Sequence, residues 1–219
     1  NSTITGAATG TNILQWTISN GVCPPSISTV AIINLPNPTP SNAGPSQTIC
    51  SGAATLAGNT PAAGTGSWTV ISGIASITNP TLETSGLTGI AVGANVLQWT
   101  ISNGVCPNSS STVAIIRDPA PTVSNAGPNQ TICATSTVLA GNTPAIGTGS
   151  WTLISGGATI ANANLPNSGI TAVAVGTNIL QWTITNGVCP PSISTVAIIR
   201  DQNPSLANAG PSQTICSGV

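Results

Sequence analysis

The chain has 219 residues, 40% of them hydrophobic, and five charged side chains, Glu83, Arg117, Asp118, Arg200 and Asp201, for a net charge of −1. Two arginines cannot line a phosphate-binding track, which excludes nucleic acid as a partner. Low charge at this apolar content is the opposite of the disorder signature, and apolar runs such as VAII at 113–116 fall short of the ~20 residues a membrane-spanning helix needs.

One phrase recurs along the chain. NILQWTISNGVC (12–23) returns as NVLQWTISNGVC (95–106) and NILQWTITNGVC (178–189). Trp16, Trp99 and Trp182 are 83 residues apart, as are Trp68 and Trp151, and no insertion or deletion interrupts the register. The cysteines form two series with the same interval, Cys23, Cys106, Cys189 and Cys50, Cys133, Cys216. An 83-residue unit exceeds the ~20–50 residues of solenoid repeats, which cannot bury a core alone. It falls within the usual domain range. The chain therefore reads as 1–40, the C-terminal part of a repeat; 41–123 and 124–206, two complete repeats; and 207–219, the start of another. Asn1 aligns with Thr84 and Asn167, deep inside a repeat, so the sequence reads as a stretch of a longer array.

Within 41–123 the expected elements follow in order. ATLAG (54–58) suits a short strand of small and β-branched residues. SWTVIS (67–72) alternates, with Trp68 and Val70 on one face. VLQWTIS (96–102) alternates more strictly, Leu97, Trp99 and Ile101 inward and Gln98, Thr100 and Ser102 outward, the pattern of a half-buried strand. Asn103 and Gly104 then predict a two-residue type I′ hairpin, since both tolerate positive φ. STVAII (111–116) closes the repeat as a further strand. Short strands separated by Gly, Pro, Asn and Ser predict an all-β fold of tandem sandwich domains, about seven strands each, arranged end to end. Prolines concentrate at 34–45, 117–128 and 200–211, where fixed φ predicts short, semi-rigid links.

Six cysteines in a regular pattern point to disulfides and an oxidising, extracellular compartment. In such a sandwich the loop before the last strand is expected beside the domain's N-terminus. The last strand then travels roughly 30 Å before the next domain begins, beyond the ~7 Å Cα separation that a disulfide allows. This favours Cys50–Cys106 and Cys133–Cys189 within repeats, leaving Cys23 and Cys216 without partners. The rival is Cys106–Cys133 across the link, and free buried thiols are the remaining alternative.

Catalysis has little to work with. There is no His, Lys or Tyr to serve as general base or to activate a serine. Asp118 and Asp201 stand a whole repeat apart, and Glu83 is replaced by Pro166 in the next copy. No CxxC or His pair suggests zinc, and calcium would want several carboxylates. No catalytic residue, cofactor or metal is expected. Trp16, Trp68, Trp99, Trp151 and Trp182 lie on the apolar faces of their strands and read as core, with sugar stacking as the alternative. Arg117, Asp118, Arg200 and Asp201 could contact the neighbouring domain; two solvated charges at a strand end are the plainer reading, because surface ion pairs contribute only about 0–1 kcal/mol. Outward Thr and Ser could form a flat glycan- or ice-binding array, or serve solubility alone.

SNAGPNQTIC (124–133), GTGSWTLISG (147–156) and GTNILQWTITNGVCPPSISTVAIIRD (176–201) together resemble the PKD-like, Ig-like repeats of giant cell-surface proteins of Bacteroidota, the gliding-motility adhesins exported by type IX secretion. The resemblance covers the whole chain. It implies a PKD-like sandwich with one internal disulfide and a location outside the cell, at the cell surface. The acidic, glycine-rich turn of ordinary PKD domains is missing, so it implies no calcium site. The function expected is a stalk or spacer in a long adhesin or surface filament, projecting an adhesive region that lies outside this sequence. The repeats' partners would be neighbouring repeats, with surface glycans or other cells met elsewhere in the protein. Weak multivalent glycan or surface binding by the repeats themselves is the alternative, and side-by-side association into a filament a third.

Overall fold

The computed structural model describes residues 2–218, and every described element is a β-strand. The chain divides into two compact units, Asn1–Pro119 and Ala120–Val219.

The first unit opens with a hairpin, β1 (Gly10–Ile18) and β2 (Ser26–Asn34). Seven strands follow: β3 (Gln47–Ile49), β4 (Ala54–Thr55), β5 (Thr65–Ser72), β6 (Ser76–Ile77), β7 (Gly86–Thr88), β8 (Gly93–Ser102) and β9 (Ser109–Arg117). They form a four-stranded sheet, β3-β9-β8-β5, and a three-stranded sheet, β4-β7-β6. Pairing is antiparallel except that β3 runs parallel to β9. Between the sheets lie Leu56, Trp68, Leu87, Ile90, Leu97, Trp99, Ile101, Val113 and Ile115, with Ala43 from the segment before β3.

The second unit repeats this scheme with β10 (Gln130–Ile132), β11 (Thr137–Val138), β12 (Thr148–Ser155), β13 (Thr159–Ile160), β14 (Gly169–Thr171), β15 (Gly176–Thr185) and β16 (Ser192–Arg200). Its sheets are β10-β16-β15-β12 and β11-β14-β13. The expected all-β sandwich of seven strands is present in each complete repeat.

The alternation read from the sequence is kept most strictly in β8 and β15. In β8 every second residue, Asn95, Leu97, Trp99 and Ile101, is buried. In β5 Trp68 is buried but Val70 is exposed; just beyond it the register shifts, between Val70 and Ser72, a bulge that ends the regular pairing.

Two expectations fail here. The turn after β8 is not a two-residue hairpin: the strands part after Ser102 and resume at Ser109. Gly104 alone takes the left-handed conformation, φ 57, and the Cys106 N–H donates to the Asn103 carbonyl at 3.1 Å. Pro107 has no N–H to extend the ladder, so the loop stays open past the turn. Trp16 is likewise not core. It is 69% exposed, since the β1–β2 hairpin pairs only with itself and no described strand supplies the partner that Trp68 provides for Trp99.

The proline-rich stretch at 34–45 is built into the repeat that follows it. Thr39 Oγ1 accepts from the Ala62 and Ala63 N–H groups, both at 2.9 Å. Asn59 Nδ2 donates to the Pro40 carbonyl at 3.0 Å, and the Ser41 N–H donates to Ser109 Oγ at 2.8 Å. Thr122 plays the same part toward Ala145 and Ile146.

Candidate functional site

Each repeat is organised around a tryptophan pair. Trp68 and Trp99 face one another across β5 and β8, ring centroids 5.0 Å apart and planes at 38°. Trp151 and Trp182 reproduce this at 5.0 Å and 39°. The indoles are held as structural parts. Trp68 Nε1 donates to the Glu83 carbonyl and Trp99 Nε1 to the Asn59 carbonyl, both at 3.2 Å. A backbone carbonyl can come from any residue, which is why Pro166 replaces Glu83 and still accepts from Trp151 at 3.1 Å. A Cβ on Gly66 would come 2.0 Å from the Trp99 ring, so glycine there makes room for the indole. The sugar-stacking alternative loses its basis for these four residues, which are at most 2% exposed.

Asn95 is a buried polar residue that sequence reasoning missed. Its Nδ2 donates to the carbonyls of Ala91 (2.9 Å), Gly93 (3.1 Å) and Ile115 (3.3 Å), and its Oδ1 accepts from the Ile74 N–H at 2.9 Å. Asn178 makes the same four bonds one repeat on. The signal was present: Asn12, Asn95 and Asn178 share the inward register with the tryptophans of their strands.

The arginines serve their own repeats. Arg117 Nη1 donates to the Ile90 carbonyl at 2.7 Å and Nε to the Cys50 carbonyl at 3.5 Å. Arg200 repeats this with Val173 at 2.8 Å and Cys133 at 3.5 Å. The adjoining Asp118 and Asp201 N–H groups donate to the Ile49 and Ile132 carbonyls.

The cysteines depart from expectation. Cys50 and Cys189 are disulfide-bonded, whereas Cys23, Cys106, Cys133 and Cys216 are free thiols. Neither Cys50–Cys106 with Cys133–Cys189 nor the rival Cys106–Cys133 is therefore formed. The fold explains why a bridge inside one repeat fails. The segment from Ser41 to Ile49 does not stay at the entrance of the domain; it runs beside β9 from Ser109, at one end, to Arg117 at the other. Cys50 thus sits at the exit end, under Arg117. Cys106 sits at the entrance end, its Sγ 3.7 and 3.6 Å from the carbonyl oxygens of Leu35 and Pro36. Eight residue steps of β9 separate the two levels, about 26 Å, against the ~7 Å a disulfide permits.

The outer face of the four-stranded sheet carries hydroxyls and amides: Thr65, Ser67 and Thr69 on β5 stand opposite Ser102, Thr100 and Gln98 on β8. In the second unit this face borders an open groove of ≈ 460 Å³, lined by Thr148, Ser150, Thr183, Thr185 and Asn164, with Pro144, Gly147 and Gly149. It offers hydrogen bonds and no ionisable group, so it could hold a neutral polar ligand but could not move a proton. Among the described residues no three His, Cys, Asp or Glu gather to hold a metal, and no helix is long and apolar enough to cross a membrane.

No protein-family model matches the chain, and no curated protein matches it. Among solved structures it is similar to the PKD domain from KIAA 1837 protein, at 26% identity over 42% of this chain and 92% of that one, TM-score 0.33. It is also similar to Dpr11 IG1 bound to DIP-gamma IG+IG2, at 14% identity over 76% and 100% of the two chains, TM-score 0.40. The insect immune protein hemolin matches at 13% identity over 87% and 56%, TM-score 0.44. PKD and Ig-like domains are thus what the chain resembles among solved structures, and no enzymatic family is shown.

Proposed function

We propose that the repeats are spacer modules of an extracellular surface protein, holding an adhesive region away from the cell, as the resemblance to the repeats of gliding-motility adhesins implies. One observation carries this reading: the two complete repeats put the same residues to the same structural use. The tryptophan pairs, the asparagine bonds, the arginine contacts and the threonine-held links recur with distances equal to within a few tenths of an ångström. A ligand site normally singles out one copy, whereas a spacer gains length from copies that do not differ. Disulfide-bonded cysteines fit an oxidising compartment, which accords with secretion.

The second reading rests on the hydroxyl face and its groove. Repeated in every copy, such a face would bind a glycan weakly and gain avidity by number. Chains of two, four and six repeats separate the readings. For a spacer, X-ray scattering gives a maximum dimension that rises linearly with repeat number, and glycan arrays give no binding that grows with it. Glycan affinity climbing steeply with copies, or a maximum dimension that stops growing, overturns the spacer.

A further inference from the structure

We infer that Asn20–Gly21 is a site of spontaneous self-modification, its asparagine converting to aspartate and isoaspartate, and that Leu35 and Pro36 guard the same dipeptide, Asn103–Gly104, in the complete repeat. The two sites share one sequence, SNGVC at 19–23 and at 102–106. They share one turn as well. The Cys23 N–H donates to the Asn20 carbonyl at 3.1 Å and the Cys106 N–H to the Asn103 carbonyl at 3.1 Å. Gly21 and Gly104 take φ 56 and φ 57.

What differs is what covers the loop. Asn103 is half-buried, and its Nδ2 donates to the Pro36 carbonyl at 2.8 Å. Leu35 packs against Gly104, where an added Cβ would collide with Leu35 Cδ1. Asn20 is exposed, and its side-chain amide has no hydrogen-bond partner among the described residues. A Cβ on Gly21 would meet nothing within 4 Å.

The reaction needs no enzyme and no oxidant. The Gly21 nitrogen attacks Asn20 Cγ; a new C–N bond forms, the Cγ–Nδ2 bond breaks, and the proton displaced from the nitrogen leaves on ammonia. The product is a cyclic succinimide, which water opens. Cleavage of the bond from nitrogen to Cγ gives aspartate. Cleavage of the bond from nitrogen to the main-chain carbonyl carbon gives isoaspartate, in which the chain runs through Cγ. The balance is one ammonia lost for one water gained. Glycine favours the attack, because no Cβ crowds its nitrogen and its backbone can bring nitrogen and Cγ together. At Asn103 the bond to the Pro36 carbonyl must break first, which slows the reaction about 2–10-fold, and Leu35 restrains the loop further. Each event adds a carboxylate to a chain of net charge −1. The inference does not depend on the spacer reading, since it is read from mass and not from length or binding.

The test ages the 219-residue chain at mildly alkaline pH, once folded and once unfolded in urea. Samples are then reduced and cut with chymotrypsin, which places the two sites on separate peptides by cleaving after Trp16 and Trp99. Tandem mass spectrometry measures the conversion at each asparagine, and electron-transfer fragmentation separates isoaspartate from aspartate. In urea the two sites should convert at equal rates, because their local sequences are the same. In the folded chain Asn20 should convert at least about 2–10-fold faster than Asn103. The variant L35A should raise the Asn103 rate toward that of Asn20 and leave Asn20 unchanged. Equal rates in the folded chain overturn the proposal, as does an Asn20 that stays intact while the unfolded chain converts. An Asn103 rate unmoved in folded L35A overturns the guarding role. If L35A fails to fold, the folded and unfolded wild-type chains decide by themselves.

Discussion

Gly89 and Ala172 occupy the same place in successive repeats, and both adopt a left-handed backbone, φ 61 and φ 52. Ala172 is the one non-glycine residue with positive φ among those described. An L side chain pays about 1 kcal/mol or more for that conformation, so the second unit carries a local strain that the first avoids. A Cβ on Gly89 would find nothing closer than Ser76 Oγ at 3.9 Å, which leaves conformation as the sole cost. Gly89→Ala should therefore destabilise the first unit by about 1 kcal/mol and Ala172→Gly stabilise the second by a similar or smaller amount. Denaturant melts followed by tryptophan fluorescence check both; equal midpoints for wild type and Gly89→Ala would show that the backbone there is relaxed. Of the residue-level readings, the buried tryptophans of complete repeats were legible from alternation alone. The exposure of Trp16 was not, because alternation marks the inward face of a strand without saying whether anything covers it.

At the scale of the element, β8 and β15 were the most legible parts of the chain, since period-two burial needs only local sequence. The order of strands in the sheets was not legible. Nothing in SNAGPSQTIC announces that the stretch runs parallel to β9 along its length, and that pairing decides where Cys50 ends up. The buried asparagine was overlooked because hydrophobicity patterns pass over polar residues. Through four bonds Asn95 ties the start of β8 to the residues that lead into it, Ala91 and Gly93, to the loop at Ile74 and to Ile115 on β9. Asn95→Ala would leave a buried N–H and several carbonyls unpaired, at about 1–3 kcal/mol for each group that water cannot reach. A loss of at least about 3 kcal/mol is expected. Asn12, its counterpart in β1, bonds to the Ala8, Gly10 and Ile32 carbonyls in a hairpin that is largely exposed, so Asn12→Ala should cost under about 1 kcal/mol. Chemical denaturation of the two variants compares them, and similar losses would contradict the role assigned to burial.

For the whole molecule, the 83-residue period made the fold class legible, because a unit of that length can bury its own core. The disulfide was the part that defeated sequence reasoning: spacing alone permits several schemes, and the deciding fact is a parallel strand that no local signal encodes. Composition does set one global property. With no His in the chain, no side chain has an ordinary pKa between about pH 5 and 8, and the unfolding free energy has no side-chain titration to follow there. Melting temperature measured at intervals across that range should be nearly constant, and a marked slope would point to a carboxylate or thiol far from its usual behaviour.

The tryptophan pairs also make the protein its own optical probe. Two indoles 5.0 Å apart at fixed tilt couple their excited states, so each complete repeat should add one copy of the same exciton couplet to the circular dichroism spectrum. The couplet disappears when β5 and β8 part, reporting sandwich opening separately from loss of strand signal. Trp16, 69% exposed and without a ring partner among the described residues, contributes no couplet and emits to the red of the others. Iodide should therefore quench one emitter in five and leave the paired ones bright.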